Sequence, residues 1–273
     1  MTEAYFAISE KILKEYCLIK ESYKNKLKSV GHSLLSENIC NHKTANNEDF
    51  NQLLSEFLKI SKERKQKNKN ESFDFNFFSF FKIDEPKHSS LLAFLFNPNE
   101  SHGQGNLFLK NFLERLNILN PDSNNWTVTA EKGRIDILLT RINPHSIIII
   151  ENKSNRAVDQ QFQLYRYWYH QIHKRKYQID YVTNDYKQKY QIVYLTPNYL
   201  KIPTDNSLSK PDISYYLSDH LNLPDKIPIE PKIWEFSKDI YELLESSINQ
   251  LHPENHRLRE YIFQYLELIK SLN

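Results

Sequence analysis

The chain has 273 residues, 26% of them charged, with 36 Lys and Arg against 34 Asp and Glu and a net charge of +2. That length supports a sizeable core, and a charge so nearly balanced does not by itself announce a nucleic-acid binder. Two cysteines, Cys17 and Cys40, are too few for a disulfide framework or a Cys-based zinc site, and no apolar run approaches the ~20 residues of a membrane helix. The N-terminal residues lack the basic-then-apolar order of a signal peptide, so a soluble, cytoplasmic protein is expected.

Residues 3–30 carry apolar side chains at helical spacing, among them Phe6, Ile8, Ile12, Leu13 and Tyr16, and residues 48–60 repeat the pattern with Phe50, Leu53, Leu54, Phe57 and Leu58. Lys62 to Asn70 is polar and mostly basic, a linker or an exposed helix end. These stretches define an N-terminal helical extension over residues 1–70, followed by a second domain over 71–273. Phe73 to Phe81 is dense in Phe and docks on a core. Ser89 to Phe96 predicts a short helix that Asn97-Pro98 stops, and Leu107 to Leu116 another, after the His102-Gly103-Gln104-Gly105 turn.

Strands follow. Trp126 to Ala130 alternates, Ile135 to Thr140 continues after Gly133, and Asn143-Pro144-His145 is the turn into Ile147 to Glu151. Four consecutive isoleucines imply a strand covered on both faces. The spacing predicts a long helix over Asp159 to His173 and a strand over Ile192 to Thr196. Ile213 to Tyr216 reads as a short edge strand, and two closing helices are predicted over 233–250 and 255–272. A hairpin followed by a helix and a further strand indicates an α/β fold with a central mixed sheet flanked by helices.

The chemistry concentrates at the end of the isoleucine strand. Glu151 and Lys153 are two apart and share a face, with Asn152 opposite. Asp136 lies fourteen residues before Glu151, with the Asn143-Pro144 turn between, so two antiparallel strands bring both carboxylates to one sheet edge. Two carboxylates, the carbonyl of Asn152, waters and a substrate phosphate complete an octahedral Mg²⁺ shell, with Mn²⁺ as a substitute. Lys153 can then orient or deprotonate a water, or stabilise charge on the phosphate. Glu131 and Arg134 are placed to form a local ion pair near Asp136, and His88 caps or supports the first core helix.

Several segments together carry a family likeness. They are Glu85-Pro86-Lys87-His88 through Asn97-Pro98, His102-Gly103-Gln104-Gly105, Glu131 through Ile137, Ile150-Glu151-Asn152-Lys153, Asp159 through Tyr167, and Tyr194-Leu195-Thr196-Pro197. Over roughly residues 80–200 the chain resembles the PD-(D/E)XK nuclease superfamily, with its restriction-endonuclease-like fold, in a poorly characterised bacterial branch. One departure is Ile135, which stands where the superfamily's name has a proline; the acid after it is in place. The resemblance implies Asp136 and Glu151 as metal ligands, Lys153 as the catalytic lysine and Glu85 as an accessory acid. It also puts Gln163 and Tyr167, four apart on one helix face, at the border of the site; Gln161 and Tyr165 share that spacing on another face. Tyr165 to Lys176 interleaves basic and aromatic residues, which suits either a nucleic-acid strand or a packed helix with a solvated basic face. The expected activity is Mg²⁺-dependent hydrolysis of phosphodiester bonds in nucleic acid, DNA first, in a homodimer and in defence against phage. The alternative is a non-catalytic nucleic-acid-binding or assembly module on the same fold.

Overall fold

The computed structural model describes residues 47–72, 74–122, 125–175, 184–197, 200–211 and 223–272. The helix expected over 3–30, both cysteines and the strand expected over 213–216 lie outside the described residues. The chain forms two units, Met1–Phe77 and Phe78–Asn273. In the first, helix α1 spans Asn47–Glu71. The basic run after Lys62 therefore continues the helix instead of linking it. Lys67 and Glu71 stand one turn apart at 3.9 Å, and Arg64 pairs with Asp74 at 2.7 Å just past the helix end.

In the second unit, five strands form one mixed sheet: β1 Trp126–Lys132, β2 Ile135–Arg141, β3 Ser146–Asn152, β4 Tyr190–Thr196 and β5 Lys232–Glu235. The sheet order follows the chain, with β1, β2 and β3 antiparallel and β3, β4 and β5 parallel. This is the sheet of the restriction-endonuclease-like α/β fold. The β1–β2 hairpin closes on Gly133 and Arg134, at φ +67° and +66°, the paired positive values of the two-residue turn that suits strand twist.

Each face of the sheet has its own core, which is why β3 is apolar without alternation. On one face Ile137, Leu139, Ile148, Ile150, Val193 and Leu195 pack against four helices. These are α2 Glu85–Phe96, α3 Leu107–Arg115, α4 Tyr241–Ile248 and α5 His256–Lys270. Asp84 starts α2: its side chain accepts from the Lys87 N–H, and Pro86 occupies the first turn, where no helical N–H is needed. On the other face Leu138, Ile147, Ile149, Ile192 and Tyr194 meet Leu164, Tyr165, Trp168 and Ile172.

Two expected boundaries move. The helix read as Asp159 to His173 begins only at Gln163: its α-helical part is Gln163–Tyr167, and Trp168–His173 is π-helical. Phe162, at φ +60°, precedes it, and its N–H donates to the Asn206 carbonyl instead of joining a helix. Ile233 to Glu235, read as the start of a closing helix, belongs to β5, where Tyr194 pairs with Ile233. A π-helical turn, Phe236–Ile240, then leads into α4.

Candidate active site

The β2–β3 ladder sets the site. Ile137 pairs with Ile150, and the same register carried one step further puts Asp136 opposite Glu151. Directly opposed residues of an antiparallel pair share a face, and here it is the face covered by the helix Gln163–Tyr167. Asp136 Oδ2 accepts from the Asn152 N–H at 2.5 Å, which fixes its carboxylate beside the end of β3. Lys153 Nζ lies 2.6 Å from Glu151 Oε1, and both side chains are buried. Glu151 Oε2 is also buried and has no hydrogen-bond partner among the described residues.

A short helix locks this pair. Gln163 Nε2 donates to Glu151 Oε1 at 2.8 Å and to the Tyr167 hydroxyl at 3.0 Å, while its Oε1 accepts from Lys153 at 3.3 Å. The Tyr167 hydroxyl donates to the Arg134 carbonyl, tying the helix to the tip of the β1–β2 hairpin. Gln163 and Tyr167 thus join Asp136, Glu151 and Lys153 in one cluster. Their rivals do not: Tyr165 turns to the Pro224 carbonyl, at 2.6 Å.

The cluster is short of positive charge. Burial pushes Asp136 up to about 6; the Asn152 N–H counteracts this, and Glu131 adds to it. Burial and the neighbouring Asp136 push Glu151 up to about 8 against the pull of Lys153. Lys153 is itself lowered by burial, but Glu151, Asp159 and Asp136 outweigh that and hold it above its ordinary value. Two carboxylates raised in this way are a site that favours a proton or a cation.

The other expected residues divide. Glu85 stands next to the cluster, but its Oε1 accepts from the main-chain N–H groups of Asn155 and Ala157, at 3.0 and 3.3 Å, and so holds the loop after Lys153. The Asn152 side chain points away from Asp136: its amide N–H₂ donates to the Glu85 carbonyl and Ser89 Oγ, and its amide oxygen accepts from the Ser154 N–H. Only its main-chain carbonyl is left for a metal, on the strand edge that its N–H shares with Asp136. Glu131 and Arg134 are exposed and form no ion pair with each other; Glu131 acts on Asp136 through its charge. His88 lies in the opposite core, bonded to the Tyr265 hydroxyl at 3.0 Å and packed on Phe236, where burial lowers it to about 4. It supports α2 and does not reach the cluster.

Asp159 is the residue that the sequence reading passes over. Its side chain is buried 3.9 Å from Lys153 Nζ, its Oδ1 accepts from the Tyr194 hydroxyl at 2.6 Å, and its Oδ2 accepts from the Thr204 N–H at 2.8 Å. An Asp just before a helix reads as a cap, and its partners 35 and 45 residues away leave no local mark.

No group of three or more His, Cys, Asp or Glu side chains suited to a metal occurs among the described residues. The donor set is two carboxylates and a carbonyl, with one carboxylate oxygen buried and unpartnered. That set fits Mg²⁺, which keeps several waters and takes few protein ligands.

A protein-family model, that of the PD-(D/E)XK nuclease superfamily, matches residues 75–267, well over half of the chain. The chain belongs to the PD-(D/E)XK nuclease superfamily, and its function is of the nuclease type. No curated protein and no solved structure matches it. No helix among the described residues is long and apolar enough to cross a membrane.

Proposed function

We propose that this protein is a divalent-metal-dependent nuclease that hydrolyses phosphodiester bonds of DNA by attack of water. The observation that supports the reading best is the convergence of Asp136, Glu151 and Lys153 at one end of β2 and β3, with a buried carboxylate oxygen left unpartnered. Asp136, Glu151 and the main-chain carbonyl of Asn152 are the groups that would hold Mg²⁺, or Mn²⁺ in its place. Such an ion, when bound, lowers the pKa of a coordinated water and offsets charge on the phosphate.

The protein's own groups do the rest. Lys153, whose ammonium form Glu151 and Asp159 favour against burial, is placed as a cation for the charge that grows on the phosphate. Gln163 holds Lys153 and Glu151 in one geometry, so neither side chain must reorganise as the reaction proceeds. Glu85 fixes the loop after Lys153, and Arg134 presents an exposed cation at the hairpin tip where a phosphate backbone can approach.

DNA as the polymer and a part in defence against phage rest on analogy with the family. The test is a panel of plasmid, linear duplex, single-stranded DNA and RNA, incubated with Mg²⁺ or Mn²⁺ and resolved on gels. Cleavage of a DNA substrate that EDTA stops supports the reading. Binding without turnover on every member of the panel would leave only a nucleic-acid-binding module.

A further inference from the structure

Residues 156–159, after β3, and 200–204, after β4, border an open cleft of about 510 Å³, a volume within the range of small-ligand sites. Arg156 and Val158 line it from the first loop, and Leu200, Lys201 and Ile202 from the second. Asp159, the carboxylate 3.9 Å from Lys153 Nζ, also lines it, so the cleft borders the catalytic cluster. Lys201 donates to the Ala157 carbonyl, which joins the two loops.

The lining has an unusual composition for an exposed surface. Val158 is 85% exposed and Ile202 64% exposed, and Leu200 stands beside them. Single exposed aliphatic residues are ordinary. Three of them around one cleft, flanked by two cations and bordering a nuclease centre, fit a ligand that is anionic at one end and apolar at the other. A nucleotide of a nucleic-acid strand has that character. A paired base hides its faces in the stack, so aliphatic walls can only take up a base that has left the helix or was never paired.

We propose that this cleft seats one unpaired nucleotide of the strand being cut, next to the scissile phosphate. Its base lies against Val158, Leu200 and Ile202, and Arg156 and Lys201 face its phosphates. The proposal rests on the nuclease reading above and adds to it a substrate class: nucleic acid with an unpaired nucleotide at the cut.

The test is equilibrium binding with EDTA present, so that nothing is cut. Fluorescence anisotropy would follow the full chain on three labelled oligonucleotides: a single strand, the matching blunt duplex, and that duplex with one bulged nucleotide. Wild type is expected to bind the single strand and the bulged duplex more tightly than the blunt one. Val158→Ser/Ile202→Ser should weaken binding to those two about tenfold, and to the blunt duplex less than about twofold. Val158→Thr/Ile202→Thr, closer in shape, serves if the first variant does not fold. Equal wild-type affinity for all three probes, or a variant that binds them as wild type does or loses equally on all, would overturn the proposal. Failure of the nuclease reading looks different: cleavage that Lys153→Ala leaves unchanged, whatever the binding preference.

Discussion

Lys153 Nζ lies 2.6 Å from Glu151 Oε1, inside a site where the other oxygen of Glu151 is buried without a partner. One ammonium thus answers one oxygen of a carboxylate that burial and Asp136 already disfavour as an anion. On the proposed function the pair serves a second cation more than stability, since a buried ion pair often gains little over neutral packing.

Glu151→Gln is the direct probe of that trade. The amide keeps the shape and can still accept from Lys153 and Gln163, but the buried negative charge is gone. The metal-free variant should melt no lower than wild type at pH 8, and about 2–4 °C higher if the gain is near 1 kcal/mol. Cleavage should fall at least about a hundredfold. Added Mg²⁺ should raise the melting temperature of wild type and leave that of the variant unchanged.

The same groups set a pH dependence. Asp136, pushed up to about 6, and Glu151, pushed up to about 8, both exceed their unfolded values of about 3.9 and 4.3. The folded chain therefore holds protons that the unfolded chain has released. The stability they contribute is fully present below about pH 4 and is lost as pH rises through 6 and then 8. His88, lowered to about 4, has the opposite sign: its contribution is present above about 6.5 and lost as pH falls through 4. Subtracting the melting curve of Asp136→Asn/Glu151→Gln from that of wild type removes the His88 effect. The difference should move against wild type from pH 5 to pH 8, and Mg²⁺ should cancel it increasingly as pH rises.

Glu85 offers a choice between two roles. The geometry makes it a clamp on Asn155 and Ala157, a task in which a glutamine oxygen can replace it. Glu85→Gln should keep most activity, within about threefold, while Glu85→Ala should free the loop and speed tryptic cleavage at Arg156. A loss in Glu85→Gln as large as that in Asp136→Asn would make Glu85 a metal ligand instead.

Gln163 and Tyr167 should differ in weight. Gln163→Ala removes contacts to Glu151, Lys153 and Tyr167 together, and kcat should fall about ten- to a hundredfold with little change in KM. Tyr167→Phe loses only the link to Gln163 and the Arg134 carbonyl, and should cost a few-fold in kcat and about 1–2 kcal/mol in stability.

Much of the candidate site's geometry was legible in the sequence because its signals are local. The isoleucines from Ile147 to Ile150 mark a strand covered on both faces, and the parity of Glu151 and Lys153 follows from strand geometry. What was not legible depends on distant partners. Lys232–Glu235 is a four-residue strand whose identity comes from pairing with β4, and its apolar residues suit a helix equally well. The helix after the site starts late because Phe162 turns to Asn206 and Asp159 turns to Tyr194 and Thr204. Only the folded chain puts those carboxylate and main-chain partners together. His88, read as capping or supporting the first core helix, lies on the α2 face that packs on Phe236 and on Tyr265, 177 residues away, partners that no local pattern announces.

The central claim is that Asp136, Glu151 and Lys153 form a metal-dependent hydrolytic centre. Its most direct test is the cleavage rate of the preferred DNA substrate with Mg²⁺ by wild type and Lys153→Ala, each confirmed as folded by circular dichroism. Wild type should cleave in a reaction that EDTA abolishes, and Lys153→Ala should be slower by at least about a hundredfold. Cleavage that persists in EDTA, or a Lys153→Ala protein as fast as wild type, would contradict the account.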